Sequence, residues 1–186
     1  MNSHQIRFDE DLVRRYDRSG PRYTSYPTAV QFSDRFGVNE YRAVAVASNQ
    51  DPIPRPLSLY VHIPFCSSPC FYCGCTKVIT RNHEKAEAYL YRLHREIELQ
   101  SQLYDRDREV EQLHFGGGTP TFLTSLEIDR LIEKLGNHFK LSRDPGREYS
   151  IELDPRTITR DTLRDLAKVG FNRCSLGIQD FDPLVQ

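Results

Sequence analysis

The sequence is short of several things, and each shortage narrows what the protein can be. No stretch approaches the roughly 20 apolar residues needed to span a bilayer as a helix. The amino-terminal "MNSHQIRFDEDLVRRYDRSG" lacks the apolar centre of a signal peptide, so the expected location is the cytoplasm. Charge of either sign is not in excess: 25 basic and 26 acidic residues leave a formal net charge of -1. Nothing therefore draws the whole molecule to nucleic acid or a membrane surface, and an acidic ligand must be held by local groups. Low-complexity tracts and internal repeats are also missing. Cysteine is scarce, with five in 186 residues, yet four of them fall in ten positions starting at Cys66, within "FCSSPCFYCGC".

With 38% hydrophobic and 11% aromatic residues, the chain can bury a sizeable core. Residues 1–56 are the least regular part, an expected arm in which Gly20, Pro21 and Pro27 interrupt structure. From residue 57 the pattern changes. "LSLYVHI" (57–63), "EQLHF" (111–115), "YSIEL" (149–153) and "NRCSLGI" (172–178) are short runs bounded by charge, Gly or Pro, as strands are. Between them, Ala86, Leu90, Leu93 and Ile97 share one helical face. Ile128, Leu131, Ile132, Leu135 and Phe139 share another, behind a Thr124 to Glu127 capping box. Leu163, Leu166 and Ala167 mark a third helix, stopped at Gly170. Strand then helix, three times over, predicts an α/β protein of parallel, right-handed units in an open sheet or partial (βα) barrel, residues 57–186. Ligands in such folds gather at the carboxyl ends of the strands, which is where the conspicuous motifs lie.

Sulfur at this density in a reducing compartment points to metal or redox chemistry, since neighbouring cysteines cannot pair without severe strain. Structural zinc wants two separated ligand pairs, and no second pair follows; four-cysteine zinc stays open as a crowded alternative. An iron-sulfur cluster held by three thiolates of one loop leaves one iron free for a substrate or cofactor.

The spacing Cys66, Cys70, Tyr72, Cys73 resembles the signature of the radical S-adenosylmethionine superfamily, and "GGGTPTFL" resembles its glycine-rich segment. More narrowly, "PRYTSYPTA", "LYVHIPFC", "CGC", "LHFGGGTPTFL", "SIELDPRTI" and "GFNRCSLGIQDFDPLVQ" together resemble the oxygen-independent coproporphyrinogen III oxidases. The family's chains are more than twice as long, so the resemblance implies an amino-terminal portion of a radical S-adenosylmethionine barrel that is inactive by itself. It also implies a [4Fe-4S] cluster on Cys66, Cys70 and Cys73, and two S-adenosylmethionines. Tyr60, Gly117 and Glu152 would contact the one that is cleaved; Tyr72, Gly118, Thr119 and Gln179 would contact the second. Glycines at 116–118 would let backbone N–H groups approach a carboxylate, and Glu152 would grip a ribose hydroxyl or an ammonium. Cys75 would take no iron and act near the substrate, with Tyr60 as the other candidate catalytic residue. The substrate implied is coproporphyrinogen III, with electrons from a flavodoxin and its reductase, in a monomer.

Blander readings stand beside these. Tyr60 in a strand is more often a packing residue, and Glu152 a solvated or arginine-paired one. The glycines alone would be a turn, and Cys174 an inert small hydrophobe. His62, His114 and His138 read as structural rather than as ligands. Arg22 and its flanking tyrosines would cover the active site, or merely pack as a tail. A related heme chaperone is the alternative within the superfamily; the Gly74–Cys75 pair and the "PRYTSYP" arm argue against it.

Overall fold

The computed structural model describes residues 8–18, 28–182 and 184. The arm residues Arg22, Tyr23 and Tyr26 lie outside the described residues. The chain divides into two compact units, residues 1–39 and 40–186.

The amino-terminal segment, expected to be irregular, contains helices. α1 (Glu10–Tyr16) is capped by Asp9, whose side chain accepts from the Leu12 N–H at 2.9 Å. Acidic Glu10 and Asp11 open it and basic Arg14 and Arg15 close it, matching the helix dipole. None of its residues is buried. It is held by local charge and capping, and an apolar stripe, the signal sought in the sequence, is not what makes it. α2 (Val38–Ala47) buries only Ala45.

In the larger unit the expected rhythm is present. β1 (Leu57–Ile63), β4 (Glu109–Gly117), β6 (Glu148–Leu153) and β7 (Arg173–Leu176) form a parallel sheet in that order, and short β5 (Lys140–Leu141) joins β4 at its start. α3 (Glu84–Ser101), α4 (Ser125–His138) and α5 (Arg160–Lys168) supply the connections. The Thr124–Glu127 capping box is formed, and a second one, Thr159 with Thr162, opens α5. Gly170, at φ +110°, ends that helix. Two minute strands were not foreseen: β2 (Phe65–Cys66) and β3 (Val78–Ile79), which pair with each other in parallel. β4 also runs past its expected end, because its pairing with β1 carries through Gly116 and Gly117. Glycines that read as loop are the last two residues of a strand.

The sheet is two-faced. Odd positions of β1 and β6, with Val110, Leu113 and Phe115 of β4, are buried against Ala86, Leu93 and Ile97 of α3, Ile128, Leu131 and Leu135 of α4, and Leu166 of α5. Each such side chain removed from water contributes on the order of 1.5–3 kcal/mol. Cross-strand register puts the intervening positions on the opposite face. Ser58 neighbours Gln112, Tyr60 neighbours His114, and His114 neighbours Ser150 and, through it, Arg173. Sheets covered by helices on both sides are apolar throughout. This one alternates, and so its second face is built to line a polar space.

β7 is exposed along its whole length. Cys174, expected to be a small packing residue, is exposed with it. Among the described residues no helix is long and apolar enough to cross a membrane.

Replacing Phe115, which is fully buried and meets Phe171 edge-on at 5.1 Å, with Ala should cost about 3–5 kcal/mol in chemical denaturation. Its neighbour on the polar face, Gln112, is exposed and its replacement by Ala should stay within about 0.5 kcal/mol. Equal losses at the two positions would overturn the assignment of the two faces.

Candidate active site

β1 delivers the chain directly into the cysteines. The excursion over residues 67–77 is closed at its base by the β2–β3 pair, with the Val78 N–H donating to the Pro64 carbonyl at 2.7 Å and the Thr80 N–H to the Cys66 carbonyl at 2.9 Å. Phe65 anchors this base from below: it is buried, stacks on Phe122 at 5.3 Å and meets Tyr89 edge-on at 5.5 Å. The tip is open. Cys70 and Cys75 are exposed, Cys66 and Cys73 half-buried, and Tyr72 half-exposed. Within the loop the Cys73 N–H donates to the Cys70 carbonyl at 3.2 Å.

The glycine-rich turn is fastened to the same base. The Gly118 N–H donates to the Ile63 carbonyl and the Thr119 N–H to the Phe65 carbonyl, both at 2.8 Å. The Gly117 N–H donates to Glu152 Oε2 at 3.1 Å. The N–H groups of Gly117, Gly118 and Thr119 are therefore all engaged within the chain. The glycines answer to a different constraint. A Cβ at Gly118 would sit 2.7 Å from the Phe65 carbonyl oxygen and 2.9 Å from Cys66 Sγ, and one at Gly117, where φ is +115°, would sit 2.7 Å from the His62 ring. A Cβ does not come that close to other heavy atoms, and so the two positions are small because the turn lies flush on the entrance of the cysteine loop and on the His62 ring. Thr119 adds its hydroxyl, 3.6 Å from Cys66 Sγ.

Beside this junction five strand side chains form one network. Glu152 accepts from Gly117 through one oxygen and lies 3.3 Å from His114 Nε2 through the other. His114 Nδ1 meets Ser150 Oγ at 2.6 Å. The Tyr60 ring stacks on His114 at 5.7 Å, and its hydroxyl meets His62 Nδ1 at 3.0 Å. His62 Nε2 reaches the Thr76 carbonyl at 2.9 Å. A carbonyl only accepts, so Nε2 of His62 carries the ring hydrogen and Nδ1 accepts from Tyr60. The phenol hydrogen is thus committed, and the phenol oxygen keeps its acceptor capacity.

The electrostatics divide the sulfurs. A hydrogen bond from the Cys75 backbone, with help from Lys77, holds the Cys73 thiol below its ordinary range. Burial, Cys73 and Glu152 push the Cys75 thiol up. Burial, then Glu152 and Cys75, raise the Tyr60 phenol. The structure therefore gathers Tyr60, Cys75, Gly117 and Glu152 around one end of the sheet, with Cys66, Gly118 and Thr119 adjoining. Gln179, at φ +67° beyond β7, and Tyr72 contribute no hydrogen bond to the network. Among the described residues no three His, Cys, Asp or Glu side chains converge to hold a single metal ion. What fits a larger group is the donor set itself, three thiols on one clamped loop with an open mouth.

His62, His114 and Ser150 were not singled out by the sequence as parts of the site. The signal was available in the alternation: His62 shares the parity of Tyr60, and Ser150 that of Glu152, each pair on one strand face.

The sequence profile of the Radical SAM superfamily matches residues 60–186. The oxygen-independent coproporphyrinogen III oxidase of Pseudomonas aeruginosa is 51% identical over 97% of this chain and 39% of its own length. That of Escherichia coli is 49% identical over the whole chain and 39% of its own length. A relative of the same name from Mannheimia haemolytica is 46% identical over 81% of this chain and 99% of its own length. The solved structure of the coproporphyrinogen III oxidase from Escherichia coli, described as a radical SAM enzyme, superposes with a TM-score of 0.81 and 47% identity, covering 98% of this chain and 39% of that one. The chain spans 39% of the length of the first two relatives. With its strand order, its clamped cysteine loop and these likenesses together, the chain belongs to the radical SAM superfamily and, within it, to the oxygen-independent coproporphyrinogen III oxidases.

Proposed function

We propose that this chain carries the cofactor-binding part of an enzyme that converts coproporphyrinogen III to protoporphyrinogen IX in heme biosynthesis. The observation that carries the reading is the clamped junction: a three-cysteine loop and a glycine-rich turn fastened to each other at the strand ends, facing Tyr60 and Glu152. Cys66, Cys70 and Cys73 would hold a [4Fe-4S] cluster, and Tyr60, Gly117 and Glu152 would contact S-adenosylmethionine. When bound, these groups would supply the radical chemistry for oxidative decarboxylation of the substrate's propionates to vinyl groups.

The chain's own residues bind and orient. Glu152 already has one lone pair on each oxygen engaged, and the remaining ones face a ribose hydroxyl or an ammonium. Tyr60 offers an oxygen acceptor beside it. Gly117 shares in this first site. Gly118, Thr119, Tyr72 and Gln179 serve a second S-adenosylmethionine. Cys75, whose thiol is pushed up by burial, by Cys73 and by Glu152, binds no iron and works near the substrate. The electron donor is a flavodoxin with its reductase, the location cytoplasmic, and the protein a monomer.

Metal analysis after anaerobic reconstitution tests the ligand assignment. Cys70→Ser should lose most of its iron, while Cys75→Ser should keep it, because Cys70 belongs to the spaced Cys66, Cys70, Cys73 set and Cys75 lies outside it. Equal loss at both would restore a four-ligand site.

A second test concerns the junction. Gly118→Val places its Cβ against Cys66 Sγ and the Phe65 carbonyl, so it should lower bound iron and S-adenosylmethionine binding together. Full iron content with binding alone lost would mean that the glycine serves cofactor access and not the fit of turn to loop.

A further inference from the structure

We propose that His114 is a positioning residue that fixes Glu152 and Tyr60 relative to each other, with Ser150 setting its tautomer. The proposal rests on the reading of Glu152 as a contact of S-adenosylmethionine.

His114 sits on β4 between the two. Register makes it the cross-strand neighbour of Tyr60 on one side and Ser150 on the other, all on the polar face. An ionised carboxylate only accepts, so the hydrogen toward Glu152 Oε1 is carried by His114 Nε2. Nδ1 is then an acceptor, and the 2.6 Å contact to Ser150 Oγ is a donation from the serine hydroxyl. An isolated imidazole is free to place its hydrogen on either nitrogen. Here the serine rules out one choice, and the ring presents a fixed donor to Glu152.

The other edge of the constraint is steric. The flat of the ring supports Tyr60 in a near-parallel stack, 20° between planes at 5.7 Å. A Cβ at Gly116 would meet both His114 Nε2 at 2.9 Å and Tyr60 Cε2 at 3.0 Å. The absent side chain at Gly116 is what allows the imidazole and the phenol to close over the strand. Glu152 is tied on its other oxygen to the Gly117 N–H, so its carboxylate is held by two donors from one strand. A group gripped at two points loses less freedom when it binds a ligand, and the benefit appears as affinity.

The test is a double-mutant cycle read as S-adenosylmethionine affinity on the intact protein reconstituted with iron and sulfide. His114→Phe keeps a ring under Tyr60 and removes the donor to Glu152; affinity should fall about tenfold, the scale of a lost hydrogen bond to a charged group. His114→Gln, whose amide nitrogen stands where Nε2 stood, should recover most of that loss. In a Glu152→Gln background, itself weakened, His114→Phe should have little further effect, because the two residues act through one contact. Iron content is measured on every variant. Losses that multiply in the double variant, Gln no better than Phe at position 114, or iron lost with His114→Phe would each overturn the positioning role. Unchanged affinity in Glu152→Gln alone would overturn the reading of Glu152 and the proposal with it, whereas a weakened Glu152→Gln beside an unaffected His114→Phe overturns the proposal only.

Discussion

The arrangement depends on one close approach, that of the glycine-rich turn to the backbone leaving β1. Two hydrogen bonds of 2.8 Å, from Gly118 to Ile63 and from Thr119 to Phe65, bring the turn into contact with the entrance of the cysteine loop. There is no room there for a single further carbon. Everything at the mouth inherits its position from this junction. Cys66 is fixed because its neighbours are; the loop returns at Val78 and Thr80 because the same backbone offers it carbonyls. Glu152 is fixed because the turn supplies the Gly117 N–H. A longer turn or a bulkier residue would move the sulfur, the carboxylate and the strand ends at once.

The second determinant is the two-faced sheet. A parallel sheet usually buries both faces, and its strands are then apolar without alternation. Here Tyr60, His62, Gln112, His114, Ser150 and Glu152 alternate with core residues across three strands, β1, β4 and β6. One face builds the hydrophobic core with the three helices, and the other is left to hydrogen bonds. The stability of the unit and the chemistry of its surface are thereby separated by the thickness of one strand. Side chains on the polar face are free to serve a ligand because packing does not depend on them.

This explains what was legible in the sequence. Strands β1, β4, β6 and β7 and helices α3 to α5 announced themselves because burial writes periodicity into the chain, and the capping box at Thr124 did so through its fixed spacing. The cysteine loop was legible because its cysteines lie within ten consecutive positions. What stayed hidden was whatever depends on cross-strand register. Nothing in "LYVHI" or "LHFGG" says that Tyr60 and His114 are neighbours; that follows only once β1 and β4 are aligned. α1 was hidden for the opposite reason, being made by charge and a cap with no burial to betray it. The glycines were recognised, but their close fit against Phe65, Cys66 and His62 was not legible, because it too depends on how β1 and β4 align.

The last consequence concerns how neighbouring sulfurs on one loop acquire different characters. Cys73 and Cys75 are separated by a single glycine, and nothing intrinsic distinguishes them. Their surroundings do. Cys73 receives the backbone hydrogen bond of Cys75 and lies near Lys77, both of which favour a thiolate. For Cys75 burial opposes a thiolate most, and the field of Cys73 and of Glu152 opposes it further. A thiolate is a ligand and a nucleophile, and a thiol is neither. The loop therefore sorts its sulfurs by turning one toward a cation and the other toward the carboxylate on β6. That carboxylate is the one gripped by Gly117 and His114. Its two donors therefore fix, at one stroke, the network on the polar face and the direction of the field that reaches Cys75.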